Sequence, residues 1–290
     1  MHKFNRRHVL ASLGMMGGSA LLSGCGRQGP DLSISAKEID GSQTAGGHSA
    51  VAEETAQPAS QAVQQLASGQ QDWTYLPLDP ERVGQLAYDI YPKGSCMYSV
   101  VGSVIMQAAE KVGEPFRSFP IDMMRFGAVG IGGWGSTCGV VNGCCALIGL
   151  FHSGLEIRQK REELMADICL WYESASLPNF QPENPAQDVE IASSVSQSVL
   201  CHVSSGAWCK ASGCDAFSIE RRERCRRLSA EGAVKVVEVL NAEANGQLRE
   251  FVDITPEVHS CNECHGKAGQ ADSLGMMNCM ACHQFETAHP

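Results

Sequence analysis

Two copies of the pattern C-x-x-C-H lie near the end of the chain, at 261–265 and 279–283. Two thiols one helical turn apart can add to the two vinyl groups of one porphyrin, and the adjoining histidine then reaches the iron. Zinc is the alternative, but zinc does not need a histidine directly after both pairs. We therefore expect two haem c groups, with thioether bonds and axial histidines from Cys261, Cys264, His265, Cys279, Cys282 and His283.

Each haem iron has a second axial position, which histidine or methionine fills in cytochromes. The histidines considered for it are His152, His202, His259 and His289. The rival methionines are Met276, Met277 and Met280, and histidine is favoured over them. His259 lies only two positions before Cys261, so we expect it to reach the neighbouring haem or another subunit and not its own haem.

The chain has 14 cysteines, far more than two haems need. Outside the haem motifs and Cys25, nine remain, and an odd number cannot all pair within one chain. An iron-sulfur cluster takes four thiolates, and the most compact set is Cys201, Cys209, Cys214 and Cys225. The small residues of 203–213 would suit a loop around that cluster. The spacing is not a common ferredoxin pattern, so disulfides and zinc remain alternatives.

A second group of cysteines lies upstream. Ser95 is a predicted N-cap before Cys96, and Ser136 or Thr137 before Cys138, which places each thiol in a first helical turn. The helix dipole favours a thiolate there, so both are candidates for redox or metal chemistry. Cys144 and Cys145 are further redox candidates, but with Cys169 they lie in apolar helical runs, where a free cysteine is commonly a small buried hydrophobe.

The first residues predict export. Asn5-Arg6-Arg7 resembles a twin-arginine motif and precedes an apolar run too short to span a bilayer, so 1–24 reads as a signal peptide. Leu22 to Cys25 resembles a lipobox, in which Cys25 would be acylated. An ordinary cleavage region is the alternative. Twin-arginine export carries folded proteins, which fits a cluster inserted in the cytoplasm before haem attachment outside it.

Residues 25–71 are poor in large apolar side chains and predict a flexible tether, as a membrane-anchored lipoprotein would need. The net charge of −10 and the pI of about 5.4 argue against nucleic acid as a partner. An acidic surface suits a basic redox protein instead, as electron donor or acceptor.

Apolar periodicity predicts a mainly α fold, with a helical Cys-rich domain over 72–245 and a short dihaem segment over 246–290. The predicted helices are 79–90, 95–112, 136–151, 155–172, 189–201 and 218–228, and 231–242 also favours helix. The Pro-rich stretch 177–185 predicts a loop. The last segment has few apolar residues, so its haems would supply much of its core.

The strings GSCMYSVVGSVI and FGAVGIGGWGSTCGVVNGCCALIGLF resemble the putative redox-active family named for its Cys and Gly-Cys-Ala-x-x-Gly pattern. The family pattern has glycine where this chain has Cys144. Followed by two C-x-x-C-H motifs, the domain is similar to the split-Soret cytochromes c of sulfate-reducing bacteria. That resemblance implies a largely helical homodimer, with two closely stacked bis-histidine haems per subunit and an iron-sulfur centre.

These features predict a periplasmic electron carrier of anaerobic respiration, not an enzyme. Two six-coordinate haem irons would leave no open position for a substrate. The alternatives are a small periplasmic haem reductase of an inorganic substrate, and a redox sensor with reversible disulfide chemistry at Cys96 and Cys138.

Overall fold

The computed structural model describes residues 72–247, 256–266 and 275–283, and within them the fold is mainly α, which confirms the predicted class. The α-helices are α1 (Pro80–Val112), α2 (Gly139–Phe151), α3 (Arg158–Ser174), α4 (Cys201–Ser212), α5 (Ile219–Ala244) and α6 (Pro256–His265). Short 3-10 helices span Phe116–Ser118, Ile121–Gly127 and Cys279–Ala281. Strands β1 (Ser176–Leu177) and β2 (Ser194–Val195) pair antiparallel.

The predicted signal peptide, the lipobox at Cys25 and the tether lie outside the described residues, as does His289. The division at residue 245 into two domains stays a prediction. In the part of the chain that the structure describes, no helix is long and apolar enough to cross a membrane.

Helix α1 contains the two helices predicted over 79–90 and 95–112, joined at a kink. Asp79 caps its start by accepting hydrogen bonds from the backbone amides of Glu81 and Arg82. Pro92 lacks a backbone N–H and interrupts the helical hydrogen bonds, and Ser95 has a φ of 70°. The second half of α1 therefore has its own N-terminus, at Cys96.

Helix α1 packs most extensively against α5, and a buried polar network joins the two helices. The Tyr88 hydroxyl donates to Glu223 at 2.7 Å, and the Arg227 guanidinium donates to the same carboxylate oxygen at 2.9 Å. The Arg226 guanidinium lies 3.9 Å from the centre of the Tyr88 ring. These contacts fix the rotation of α5 about its axis.

Two sequence predictions about local structure are wrong. Residues 189–201 are not a helix: they carry β2 and extended chain, and α4 begins only at Cys201. Residues 203–213 are not a loop, because they continue α4 until Gly213 ends it in a left-handed conformation. Small and polar residues are weak evidence against helix, and here tertiary packing outweighs propensity. The segments 218–228 and 231–242 form one helix, α5.

Two helical glycines offer a matched test of this packing. A Cβ on Gly232 of α5 would overlap Cγ1 of Val140, which is buried, whereas a Cβ on the exposed Gly206 of α4 would meet nothing. Gly206→Ala should stabilise the fold by about 0.5–1 kcal/mol through helix propensity. Gly232→Ala should lose about 1–3 kcal/mol to overpacking, more than it gains from propensity.

Denaturant unfolding of both variants measures the difference. Equal stabilisation of the two proteins would mean that α2 and α5 are not packed this closely.

Candidate metal centre

Four buried thiols from four separate segments of the chain come together beneath the start of α2. Cys138 and Cys201 are near enough for each thiol to shift the pKa of the other, and both Cys201 and Cys96 interact electrostatically with Cys225. Each residue is at most 8% exposed. We call Cys96, Cys138, Cys201 and Cys225 the four-thiol cluster.

A short backbone pairing brings two of these cysteines together. Thr137 and Leu200 form an isolated antiparallel bridge, in which the Cys138 amide donates to the Val199 carbonyl at 2.8 Å. The Cys201 amide donates to the Ser136 carbonyl at 2.7 Å. This bridge also sets where α2 and α4 begin. Cys138 is the N-cap residue of α2, not a first-turn residue behind a Ser136 or Thr137 cap as predicted.

Close approach of α1 and α2 brings in Cys96. A Cβ on Gly139 would lie 2.9 Å from the Cys96 Cβ, and one on Gly143 would lie 2.9 Å from the Val100 Cβ. Both distances are too short for a larger residue, so these glycines, one helical turn apart, let the helices touch along this line. Cys96, Cys138 and Cys201 all lie at helix N-termini, where the dipole favours a negative sulfur.

Burial and mutual repulsion oppose ionisation of these thiols when no metal is bound. Burial raises the pKa of Cys96 to about 11, and nearby Cys225 and Cys138 add to the effect. The hydrogen bond between Cys138 and Cys201 raises the pKa of Cys138 and lowers that of Cys201. Four adjacent thiolates would thus need positive charge to stabilise them.

Two guanidinium groups on α5 supply positive charge. Arg221 Nη1 lies 3.6 Å from the Cys225 sulfur and Arg224 Nη1 lies 3.8 Å from it. Arg224 is only 2% exposed; its Nη2 donates to the Ser204 hydroxyl at 2.8 Å, and its Nε has no hydrogen-bond partner among the described residues. Burial lowers the pKa of Arg224, but Cys225, Tyr172 and Cys138 raise it more, so the group stays charged.

The thiols of the four-thiol cluster are suitable ligands for a metal cofactor. Their sulfur atoms, however, lie farther apart than coordination of a single ion requires. As placed, no three His, Cys, Asp or Glu side chains within the described ranges surround a point closely enough to hold a single ion. Around one ion with bonds of about 2.3 Å, sulfur atoms would be about 3.8 Å apart. Iron-sulfur clusters, whose several iron atoms share sulfide bridges, accept more widely spaced thiolates.

The four-thiol cluster contains two cysteines from each of the two groups distinguished in the sequence. Cys201 and Cys225, from the predicted cluster set, meet Cys96 and Cys138, from the upstream set. Cys209 is eight residues beyond Cys201 on α4, or about 12 Å along the helix. It interacts with Cys214, Arg221 and Arg224 instead, at the edge of the four-thiol cluster.

The remaining cysteines lie between α2, α3 and α5. The Cys144 thiol is fully buried and donates to the Gly232 carbonyl at 3.3 Å, as a small core residue would. Cys145 is hydrogen-bonded to Cys169 of α3, and both are only partly buried. Both pack against the apolar core, as the sequence favoured, while remaining partly exposed.

The two C-x-x-C-H motifs lie against each other. Cys261 and Cys264 lie one turn apart on α6, and Cys279 begins the last 3-10 helix. The Cys279 thiol is hydrogen-bonded to Cys261, so the first thiol of one motif adjoins the first thiol of the other. Porphyrins attached at these two positions would be close neighbours.

Glu173, at the end of α3, joins this segment to the four-thiol cluster. Its carboxylate is buried close to the backbone amides of Asn278 and Val199, which favour its ionised form. Asn278 precedes Cys279, and the Val199 carbonyl accepts from the Cys138 amide. Burial raises the pKa of Glu173, the two amides lower it, and Oε1 has no partner among the described residues.

The candidate second axial ligands differ in availability. The buried His152 is engaged at both ring nitrogens, by the Ile148 carbonyl at 3.2 Å and by Glu243 at 3.3 Å, which disfavours it. The exposed His202 donates from Nδ1 to the Gly135 carbonyl at 2.8 Å. Metal-binding histidines are commonly oriented in this way, with Nε2 directed to the metal. His259 is exposed on α6.

Comparison with known proteins identifies the family of this chain. Residues 98–239 match the family described as putative redox-active protein (C_GCAxxG_C_C). The chain is 37% identical over 242 residues to the split-Soret cytochrome c of Desulfovibrio desulfuricans, covering 80% of this chain and 85% of the relative. This chain belongs to the split-Soret cytochrome c family. The predicted resemblance is thereby confirmed.

A solved split-Soret cytochrome c from Desulfovibrio desulfuricans shares the fold. The TM-score is 0.68 at 35% identity, and the alignment covers 74% of this chain and 91% of that one. A novel iron centre has been described in that solved protein. Membership of the split-Soret family supports an electron-carrying cytochrome with haem and iron cofactors.

Sequence reasoning missed the grouping of Cys96 and Cys138 with Cys201 and Cys225, and it missed the linking role of Glu173. Proximity in sequence favoured Cys209 and Cys214. The sequence placed Cys96 and Cys138 at helix starts, but it placed Cys201 at the end of a predicted helix over 189–201, so their common position became visible only in the structure.

The charge of Arg224 offers a test of the four-thiol cluster. Arg224→Gln removes a buried positive charge, so the purified protein should retain less cluster iron, and any remaining centre should have a lower reduction potential because the oxidised state carries less negative charge. Arg222→Gln, on the exposed face of the same helix, is the matched control. Iron analysis and redox titration measure both effects, and an identical result for the two variants would contradict this role of Arg224.

Proposed function

We propose that this split-Soret cytochrome is an exported electron carrier with two haem c groups and an iron-sulfur centre bound by Cys96, Cys138, Cys201 and Cys225. The observation that carries the proposal is the four-thiol cluster beside two guanidinium groups, linked to the haem segment through Glu173. When bound, such cofactors supply one-electron chemistry. The protein binds them, excludes water and holds them close together.

The link between the two sites is short. The Cys138 amide donates to the Val199 carbonyl, and the backbone amides of Val199 and of Asn278, the residue before Cys279, both lower the pKa of Glu173. Every group along it belongs to backbone or to a buried side chain. These contacts support outer-sphere electron transfer between the iron-sulfur centre and the haems.

The residues that would hold the haems favour a carrier over a reductase. The adjoining thiols of Cys261 and Cys279 support two closely stacked haems. His265 and His283 are the proximal ligands by position. We propose His202 as the second axial ligand of one haem iron, because its hydrogen bond to the Gly135 carbonyl already orients the ring. Iron with two histidine ligands has no vacant position for an inorganic substrate, so a reductase remains the second candidate only if one haem is five-coordinate.

We also propose a homodimer. The 3-10 helix Ile121–Gly127 and the glycine-rich chain after it expose several large apolar side chains, including Met123, Phe126, Ile131 and Trp134, of which Trp134 is 88% exposed. They lie on the segment that ends beside His202. A second copy covering them would remove apolar surface from water and shield the histidine.

The cellular setting is proposed from the sequence. The twin-arginine pattern supports export of the folded protein to the periplasm. The lipobox that ends at Cys25 supports a mature chain anchored to the membrane by a lipid on this cysteine. A basic redox protein would suit the acidic surface as donor or acceptor in anaerobic respiration.

Visible and electron paramagnetic resonance spectra of the holoprotein test the proposed function. We expect low-spin haem throughout, a reduced Soret band split into two components, and a separate iron-sulfur signal. The split band would report two stacked haems, and the absence of high-spin haem would report two axial ligands on each iron. High-spin haem that binds added small ligands, with an unsplit Soret band, would favour the reductase.

Cysteine variants test the ligand set. Replacing Cys96, Cys138, Cys201 or Cys225 with serine should abolish most of the iron-sulfur signal and the acid-labile sulfide, with haem content unchanged. Cys209→Ser and Cys214→Ser are the matched controls and should retain both. Loss in the two controls, with retention in Cys96→Ser and Cys138→Ser, would instead assign the centre to the set predicted from sequence spacing.

A further inference from the structure

Cys145 and Cys169 face each other across an antiparallel pair of helices. A loop of only six residues joins α2 to α3, so the two helices run side by side in opposite directions. One turn further along α2, a Cβ on Gly149 would lie 3.6 Å from Met165 Cε, and Met165 precedes Cys169 by one turn on α3. The Gly149–Met165 contact and the Cys145–Cys169 contact therefore fit the same alignment of the two antiparallel helices. The two cysteines are therefore opposed, and each thiol alters the pKa of the other.

We propose that Cys145 and Cys169 form a reversible disulfide, a redox site separate from the four-thiol cluster and from the haem motifs. Disulfide formation requires opposed side chains and a small approach of two sulfur atoms, which these two positions provide. Both residues are partly exposed, so a small thiol reagent can reach them. The neighbouring Cys144 is fully buried and bonded to Gly232, and it takes no part.

The two thiols are not equivalent. The hydrogen bond from Cys145 lowers the pKa of Cys169 and raises that of Cys145, although burial and the carboxylate of Glu173 oppose the lowering at Cys169. The lower pKa makes Cys169 the better nucleophile and Cys145 the resolving thiol.

The exchange balances with a small disulfide as the oxidant. The Cys169 thiolate attacks one sulfur of the oxidant, RSSR, which breaks the S–S bond and releases RS⁻. The Cys145 sulfur then attacks the Cys169 sulfur of the mixed disulfide and releases a second RS⁻. The protein loses two electrons and two protons, and the oxidant becomes two RSH.

Oxidation of Cys145 and Cys169 would also change the surroundings of the haem segment, because of where the pair lies. Glu173 lies one turn beyond Cys169 on α3, and it interacts electrostatically with both Cys169 and Cys279. Oxidation removes the hydrogen bond between the two thiols and any thiolate charge at Cys169. The environment of the carboxylate that holds Asn278 would therefore differ between the two states.

The test is a thiol titration of the holoprotein. Samples equilibrated in graded mixtures of reduced and oxidised glutathione are trapped with an alkylating reagent, digested and weighed by mass spectrometry. We expect peptides of Cys145 and Cys169 to be cross-linked in the oxidising mixtures and each alkylated once in the reducing mixtures, with full return in both directions. Cys144→Ser should behave like the unaltered chain. Cys145→Ser should leave Cys169 alkylated in the reducing mixtures and bound to glutathione in the oxidising ones, because no resolving thiol is present. Cys169→Ser should form no cross-link in any mixture.

Three results would overturn the proposal: two alkylated thiols in every mixture, a cross-link that reduced glutathione never opens, or loss of the cross-link in Cys144→Ser. The titration of the unaltered chain decides the matter even if a variant folds poorly. Haem spectra and iron content of the same samples report the proposed function independently, so failure of one does not imply failure of the other.

Discussion

The region around the four-thiol cluster depends on one buried positive charge, the guanidinium of Arg224. A charge removed from water must be compensated nearby, or the fold loses several kcal/mol. Here the compensating groups are Cys225, Tyr172 and Cys138, together with the Ser204 hydroxyl. The thiols depend on the charge in turn, because burial alone would keep them neutral. The stability of the fold and the proposed metal binding therefore depend on the same few atoms.

That coupling requires four distant segments to meet, and backbone geometry achieves most of it. The Thr137–Leu200 bridge joins segments more than sixty residues apart, and it does so with main-chain hydrogen bonds that any side chain could make. The side chains matter at Gly139 and Gly143, where only glycine lets α2 contact α1 closely enough for Cys138 to reach Cys96. The cluster is therefore a product of helix starts and close packing.

Glu173 has an analogous role between the centre and the haem segment. A buried carboxylate is costly, yet it can accept from two backbone amides at once. Its position beside the amides of Asn278 and Val199 places one buried charge between the helical body and a segment with little apolar content of its own. The opposed thiols of Cys145 and Cys169 lie one turn away, so the four-thiol cluster, the haem motifs and the thiol pair adjoin a single residue.

The sequence by itself determined the haem motifs, the mainly α class and the family, because these depend on local spacing and on apolar periodicity. It also placed Cys96 and Cys138 near helix starts. Only the tertiary structure decided which thiols meet: sequence proximity favoured Cys209, but a helix carries it about 12 Å from Cys201, whereas the bridge at Leu200 brings in Cys138. Local patterns specify the elements, and contacts between distant segments depend on packing that no local pattern records.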